Sequence, residues 1–286
     1  VTDYINTLAG AVRKTGTRKG IFYNTWAKRI QACANADIDG VSNVWYPTGL
    51  VAGRILSGNH LSRVDDYPSL RDERLAQKAK IIYEFDAADV HSSYMYPAIA
   101  REFRHSGVQI ATQFQYDAMA LADSNCNWKT HYLNLVYTPG KALSFAIAAE
   151  AFRSIPRGKD YGSLPENQRF ANARLDPDAD LSEWVSDSSF FHSNSTTSTP
   201  PAPDKLTRVW GVGASPIVRY QGSGAYFLDK VTDGDWLLEV YPDAVMLRDP
   251  YSGSKTREGR HTEKVRLIFR DNSIQLSLPD LKGPLV

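Results

Sequence analysis

Residues 80–89 (KIIYEFDAAD) contain the densest group of residues able to do chemistry. An apolar run too short for a helix leads into Glu84, and helical spacing resumes near Ser92, so Glu84 is expected at the C-terminal end of a buried parallel strand. In β/α proteins that end carries the chemistry. Glu84 is the candidate catalytic carboxylate, since glycoside hydrolysis needs one carboxylate to attack or to activate water and another to protonate the leaving oxygen. A structural carboxylate bonded to a neighbouring element is the alternative. Asp86, two residues on, could help hold the nucleophile or bind substrate. Asp89 reads as a cap or first-turn charge of the next helix. Together with His91 these acids also allow a metal-assisted hydrolase, although their spacing matches no EF-hand loop.

Tyr23, Asn24, Trp45, Tyr46, Gln113, Gln115, Tyr116 and Asp117 all fall at or near the ends of expected strands. In a parallel array they converge on one rim, and a cleft of aromatic faces and polar groups suits a sugar. Each aromatic serves equally as core packing. The six histidines are dispersed, and no HxxxH pair, nucleophile elbow, phosphate-binding loop or dinucleotide fingerprint occurs.

The elements that would position these residues begin with a helix over 4–14, a strand over 20–24, a helix over 25–36 and a strand over 41–46 that Pro47 ends. Residues 48–75 form a long irregular excursion, expected to shape the cleft as a loop after a strand. A strand over 80–85, a helix over 92–105, a strand over 108–117 and a helix over 139–155 complete four βα units, which imply right-handed crossovers and a parallel sheet. Residues 1–155 are too few for an eight-stranded barrel of roughly 250 residues, so they are expected to be its C-terminal half. Residues 156–205, rich in Pro, Asp, Asn and Ser, read as an irregular linker in which 181–191 could be ordered. Residues 206–286 show period-two strands and are expected to form an all-β sandwich.

The 286 residues are 42% hydrophobic and 23% charged with a net charge of +1, the balance of an ordinary globular protein. That charge offers nothing to nucleic acid or an anionic membrane, and no run approaches the ~20 apolar residues of a membrane span. The two cysteines, Cys33 and Cys126, have no zinc-site spacing. The chain starts at Val1 without an initiator Met and reads as starting in mid-fold, so an N-terminal portion is expected upstream or elsewhere.

Tyr23-Asn24, Val44-Trp45-Tyr46-Pro47, Ile82-Tyr83-Glu84-Phe85 and Ala111-Thr112-Gln113-Phe114 together resemble the last four strands of the clan A TIM-barrel retaining glycoside hydrolases. Residues 83–89, 93–98 and 222–230 are similar to segments of uncharacterised secreted or membrane-associated glycoside hydrolase-like proteins of bacteria. The resemblance implies a (β/α)8 barrel, Glu84 as nucleophile, Tyr46 as its hydrogen-bond partner, an acid/base Glu on a strand upstream of Val1, and a companion N-terminal barrel half, covalent or associated. It implies a secreted, periplasmic or cell-surface hydrolase of poly- or oligosaccharides that needs no cofactor. Gln113 and Gln115 depart from the pattern, where a Trp is common. A carbohydrate-binding protein that kept the cleft and lost the chemistry is the alternative.

Overall fold

The computed structural model describes residues 1–50, 52–65, 67–120, 131–247, 249, 265–278 and 281. Helix α1 (Thr2–Arg13) buries Ile5 and Ala9 and ends on Arg13, whose guanidinium meets Asp37 at 2.7 Å. Strand β1 (Phe22–Thr25) leads into a 3-10 turn and the short helix α2 (Ile30–Ala34), which buries Ile30 and Cys33. Cys126 lies outside the described residues.

Strand β2 (Gly40–Trp45) is followed by the excursion, which contains three 3-10 turns and leads to β3 (Ala79–Phe85). Helix α3 (Met95–His105), β4 (Ile110–Gln113) and α4 (Pro139–Ser154) follow. The four strands form a parallel sheet in the order β1-β2-β3-β4. Gly40 lets β1 and β3 close on β2, because a Cβ there would collide with the Phe22 ring and would lie 2.6 Å from the Ala79 carbonyl.

Residues 169–192, expected within a linker, are four strands instead: β5 (Arg169–Phe170), β6 (Ala173–Asp176), β7 (Leu181–Val185) and β8 (Ser189–His192). They continue through β9 (Arg208–Val212), β11 (Ala225–Thr232) and β12 (Asp235–Val240) into one seven-stranded sheet, ordered β12-β11-β9-β8-β7-β6-β5. It is mixed, because β8 and β9 run parallel while the other pairs are antiparallel. Strands β10 (Val218–Tyr220) and β15 (Ile274–Leu276) form one two-stranded ribbon, and β13 (Asp243–Met246) and β14 (Val265–Ile268) another.

This architecture corrects the expected half of a (β/α)8 barrel followed by a separate all-β sandwich. Only four α-helices occur among the described residues, and the β2–β3 connection carries 3-10 turns where a barrel unit needs a helix. An outer barrel helix also faces solvent, whereas α4 packs on α3 and against β7, β8 and β9 of the large sheet. With that architecture goes the reason for expecting a companion barrel half.

The alanine-rich surface of α4 allows this double cover, and a single apolar core runs from Val41, Ile82 and Phe103 through Ile147 and Ala151 to Trp184 and Phe191. The junction is sealed by hydroxyls. Ser182 Oγ and Ser193 Oγ donate to the Ser93 carbonyl at 2.6 and 2.9 Å, and the Ser93 amide donates to Asp180 at 2.6 Å. The opposite face of the large sheet is covered by the β10–β15 ribbon through Val209, Val218, Tyr220 and Leu228.

Phe191 tests whether 169–192 is part of the fold, since its fully buried ring stacks on Trp210 at 4.3 Å. Phe191→Ala is expected to cost about 3–5 kcal/mol in urea unfolding. A loss within ~0.5 kcal/mol, as at an exposed position, would return the segment to a linker.

Candidate active site

A β-bulge positions Glu84. Asn43 pairs with Ile82 but Val44 pairs with Glu84, so Tyr83 is an extra residue of β3 relative to β2. The same extra residue shows against β4, where Ile82 pairs with Ala111 and Phe85 with Gln113. Without it Glu84 would share the parity of Ile82, which faces the core. The bulge turns Glu84 off that face, as such irregularities do near functional sites. The bulge is braced by Thr112, whose hydroxyl donates to the Tyr83 carbonyl.

Glu84 is half-buried beside the 60% exposed Tyr83 ring. Its Oε1 accepts a hydrogen bond from the Tyr46 hydroxyl, the contact that the resemblance implied, and Oε2 has no protein partner among the described residues. Burial, then the bond to Glu84 and its charge, push the Tyr46 phenol far above its ordinary value. Tyr46 therefore stays a donor across the working pH range, and the carboxylate is oriented through one oxygen, with no partner at the other among the described residues.

Behind this pair lies a buried polar cluster around Asp86. The Tyr96 hydroxyl donates to Asp86 Oδ1 at 2.5 Å, His131 Nδ1 lies 3.2 Å from Oδ2, and Lys141 Nζ lies 3.7 Å from Oδ1. Gln113 Nε2 approaches Oδ1 at 3.4 Å and the Tyr96 oxygen at 3.3 Å. Burial opposes the Asp86 charge, but Lys141, His131 and Tyr96 outweigh it and hold the carboxyl below its usual range. Burial lowers the Lys141 ammonium in turn, against the attraction of Asp86, Asp89 and Asp117. The His131 ring then packs on the Tyr46 ring, with centroids 5.1 Å apart, and joins the cluster to the Glu84 pair.

Asp89 does not cap α3, which opens at Met95 after Tyr94. With φ at +60°, it turns its carboxylate to the amides of Ala52 and Gly53 and its carbonyl to the amide of Leu56. Thr48 Oγ1 donates to the Ala88 carbonyl at 2.9 Å. The excursion after β2 is thereby fastened beside Glu84. Among the described residues no group of three or more His, Cys, Asp or Glu is arranged to hold a metal.

The structure thus brings Glu84, Tyr46, Asp86 and Gln113 together at the ends of β2, β3 and β4. Trp45 lies elsewhere, buried in the core and stacked on Tyr67 at 4.4 Å. Tyr23 is half-buried against the same core, Asn24 is exposed on β1, and Tyr116 is 53% exposed with its oxygen accepting from the Leu135 amide. Tyr96, His131 and Lys141 are the members that sequence reasoning missed. Only Lys141 left a trace, as a cation in the first turn of a helix whose other charges, Glu150 and Arg153, fall near its end.

Lys141→Met strands the Asp86 charge and is expected to cost about 3–5 kcal/mol in urea unfolding at pH 7. Pairing it with Asp86→Asn is expected to recover much of that loss, and two fully additive losses would deny the coupling. His91 supplies a pH test. Burial and Lys141 lower its pKa from 6.5 to about 4 against the attraction of Asp249. The unfolded chain therefore binds the extra proton between those values, and stability falls as pH falls through that window. At ~1.4 kcal/mol per unit the loss is at most about 3.5 kcal/mol. His91→Gln is expected to flatten the slope of urea-derived stability between pH 6.5 and 4, and an unchanged slope would remove His91 as its source.

No family model, curated protein or solved structure matches the chain, so the geometry of the site carries its functional reading.

Proposed function

We propose that the protein is a retaining glycoside hydrolase of a poly- or oligosaccharide, with Glu84 as nucleophile. The observation that carries the reading is the asymmetric Glu84 carboxylate, with Oε1 held by Tyr46 and Oε2 without a protein partner among the described residues. A nucleophilic carboxylate needs that arrangement, oriented and with one oxygen available to the anomeric carbon.

In the first step Glu84 Oε2 attacks the anomeric carbon while a carboxylic acid protonates the departing glycosidic oxygen, leaving a glycosyl ester on Glu84. Water, deprotonated by the same second carboxyl, then attacks the opposite face, and the configuration is retained. The Tyr46 hydroxyl fixes the carboxylate in both steps. This chemistry needs no metal or organic cofactor. A polymeric substrate places the enzyme outside the cytoplasm, secreted, periplasmic or at the cell surface.

The second carboxyl must stand ~5–5.5 Å from Glu84. Asp86 is unsuited to the role, because it is fully enclosed and held charged by Lys141 and His131. That enclosure favours a second reading, a carbohydrate-binding protein without turnover.

On a substrate found by screening glycans, Glu84→Ala is expected to abolish hydrolysis, and azide to restore it by forming a glycosyl azide of inverted configuration. Tyr46→Phe is expected to lower kcat by about 10²-fold, the effect of one lost preorganised donor. Undiminished turnover by Glu84→Ala would overturn the assignment. Sugar binding without any turnover by the wild-type protein would establish the second reading.

A further inference from the structure

The β10–β15 ribbon turns Val218, Tyr220, Ile274 and Leu276 toward the large sheet, and the alternation sends Arg219 and its cross-strand partner Gln275 outward. Three cavities of about 660, 360 and 500 Å³ follow this ribbon. The first and second share Ala214 and Arg219, and the second and third share Tyr220, so they adjoin one another as sections of a groove along the ribbon. Each is of the size that takes a small-molecule unit.

The wall of the first section is preformed. The Ala214 amide donates to Ser195 Oγ at 3.0 Å, the Thr196 amide to the Ala214 carbonyl at 2.9 Å, and the Ser215 amide to the Val218 carbonyl at 2.7 Å. Gly213, with φ at +73°, makes this approach possible, because a Cβ there would collide with Ser195 Oγ.

Charge along the groove is balanced and mostly paired among the described residues. Arg174 is neutralised by Glu183 and by Asp176 at 3.2 Å, and Arg270 by Asp243 at 3.1 Å. Arg219, at the junction of two sections, has no carboxylate or hydrogen-bond partner among the described residues. The third section presents Phe269, which is 82% exposed. An uncompensated guanidinium is a bidentate receptor for a carboxylate, and an open aromatic face suits the apolar side of a pyranose. A nucleic acid would need a continuous basic stripe, and here Asp176, Asp243 and Asp271 share the lining.

We propose that this groove binds a uronic-acid-containing oligosaccharide, with a carboxylate on Arg219 and a sugar face on Phe269. The site stands on the groove alone, apart from the role of Glu84.

The test is calorimetric titration of the whole chain with oligosaccharides of galacturonate, guluronate/mannuronate and hyaluronan, against neutral cello- and xylo-oligosaccharides. At least one uronate series is expected to bind, at least tenfold more tightly than the neutral chains. Arg219→Ala is expected to weaken that binding at least tenfold and Phe269→Ala at least fivefold, with the wild-type melting curve retained. Failure of all three uronate series, equal binding of neutral chains, or wild-type binding by both well-folded variants would overturn the proposal.

Discussion

The carboxylate of Asp86 is wholly removed from water, a condition that costs several kcal/mol unless partners replace the lost hydration. Those partners come from separate stretches of the chain: Tyr96 from α3, His131 from the segment before α4, and Lys141 from the first turn of α4. Meeting the charge therefore fixes the end of β3 against both helices at once. The geometry of Glu84 depends on that fixation, because His131 is also the ring against which Tyr46 rests.

Two kinds of constraint act at this strand end. The Tyr83 bulge decides which way Glu84 faces, and the buried cluster decides how firmly its surroundings are held. The large sheet packs on α4, as α3 does, and Lys141 in the first turn of α4 is fully buried. Hydroxyl bonds from Ser182 and Ser193 to the Ser93 backbone close the same junction.

Local pattern made the first four strands, α1, α3 and α4 legible, and with them the place of Glu84 at a strand end. Strand and helix alternation does not encode whether the array closes into a barrel, because that depends on what covers the sheet and α4. The Pro-, Asp-, Asn- and Ser-rich composition of 156–205 suggested a linker, yet hydroxyls within it satisfy buried backbone and Glu183, and Thr196 and Ser198 both donate to that carboxylate. Asp86 was legible as a companion two residues beyond Glu84, but the facing of Glu84 relative to Ile82 was not, since a one-residue bulge shifts parity without a signature in composition. His131 and Lys141 were illegible as partners of Asp86 because their meeting is a product of tertiary folding.

The central claim is that Glu84 is held as a nucleophile, and covalent trapping tests it most directly. The protein would be treated with a panel of 2-deoxy-2-fluoroglycosides bearing activated leaving groups, then digested and mapped by mass spectrometry. One fluoroglycosyl group on the peptide containing Glu84, absent from Glu84→Gln, is the expected result. A label on another carboxylate, or no label from a sugar that the protein demonstrably hydrolyses, would contradict it.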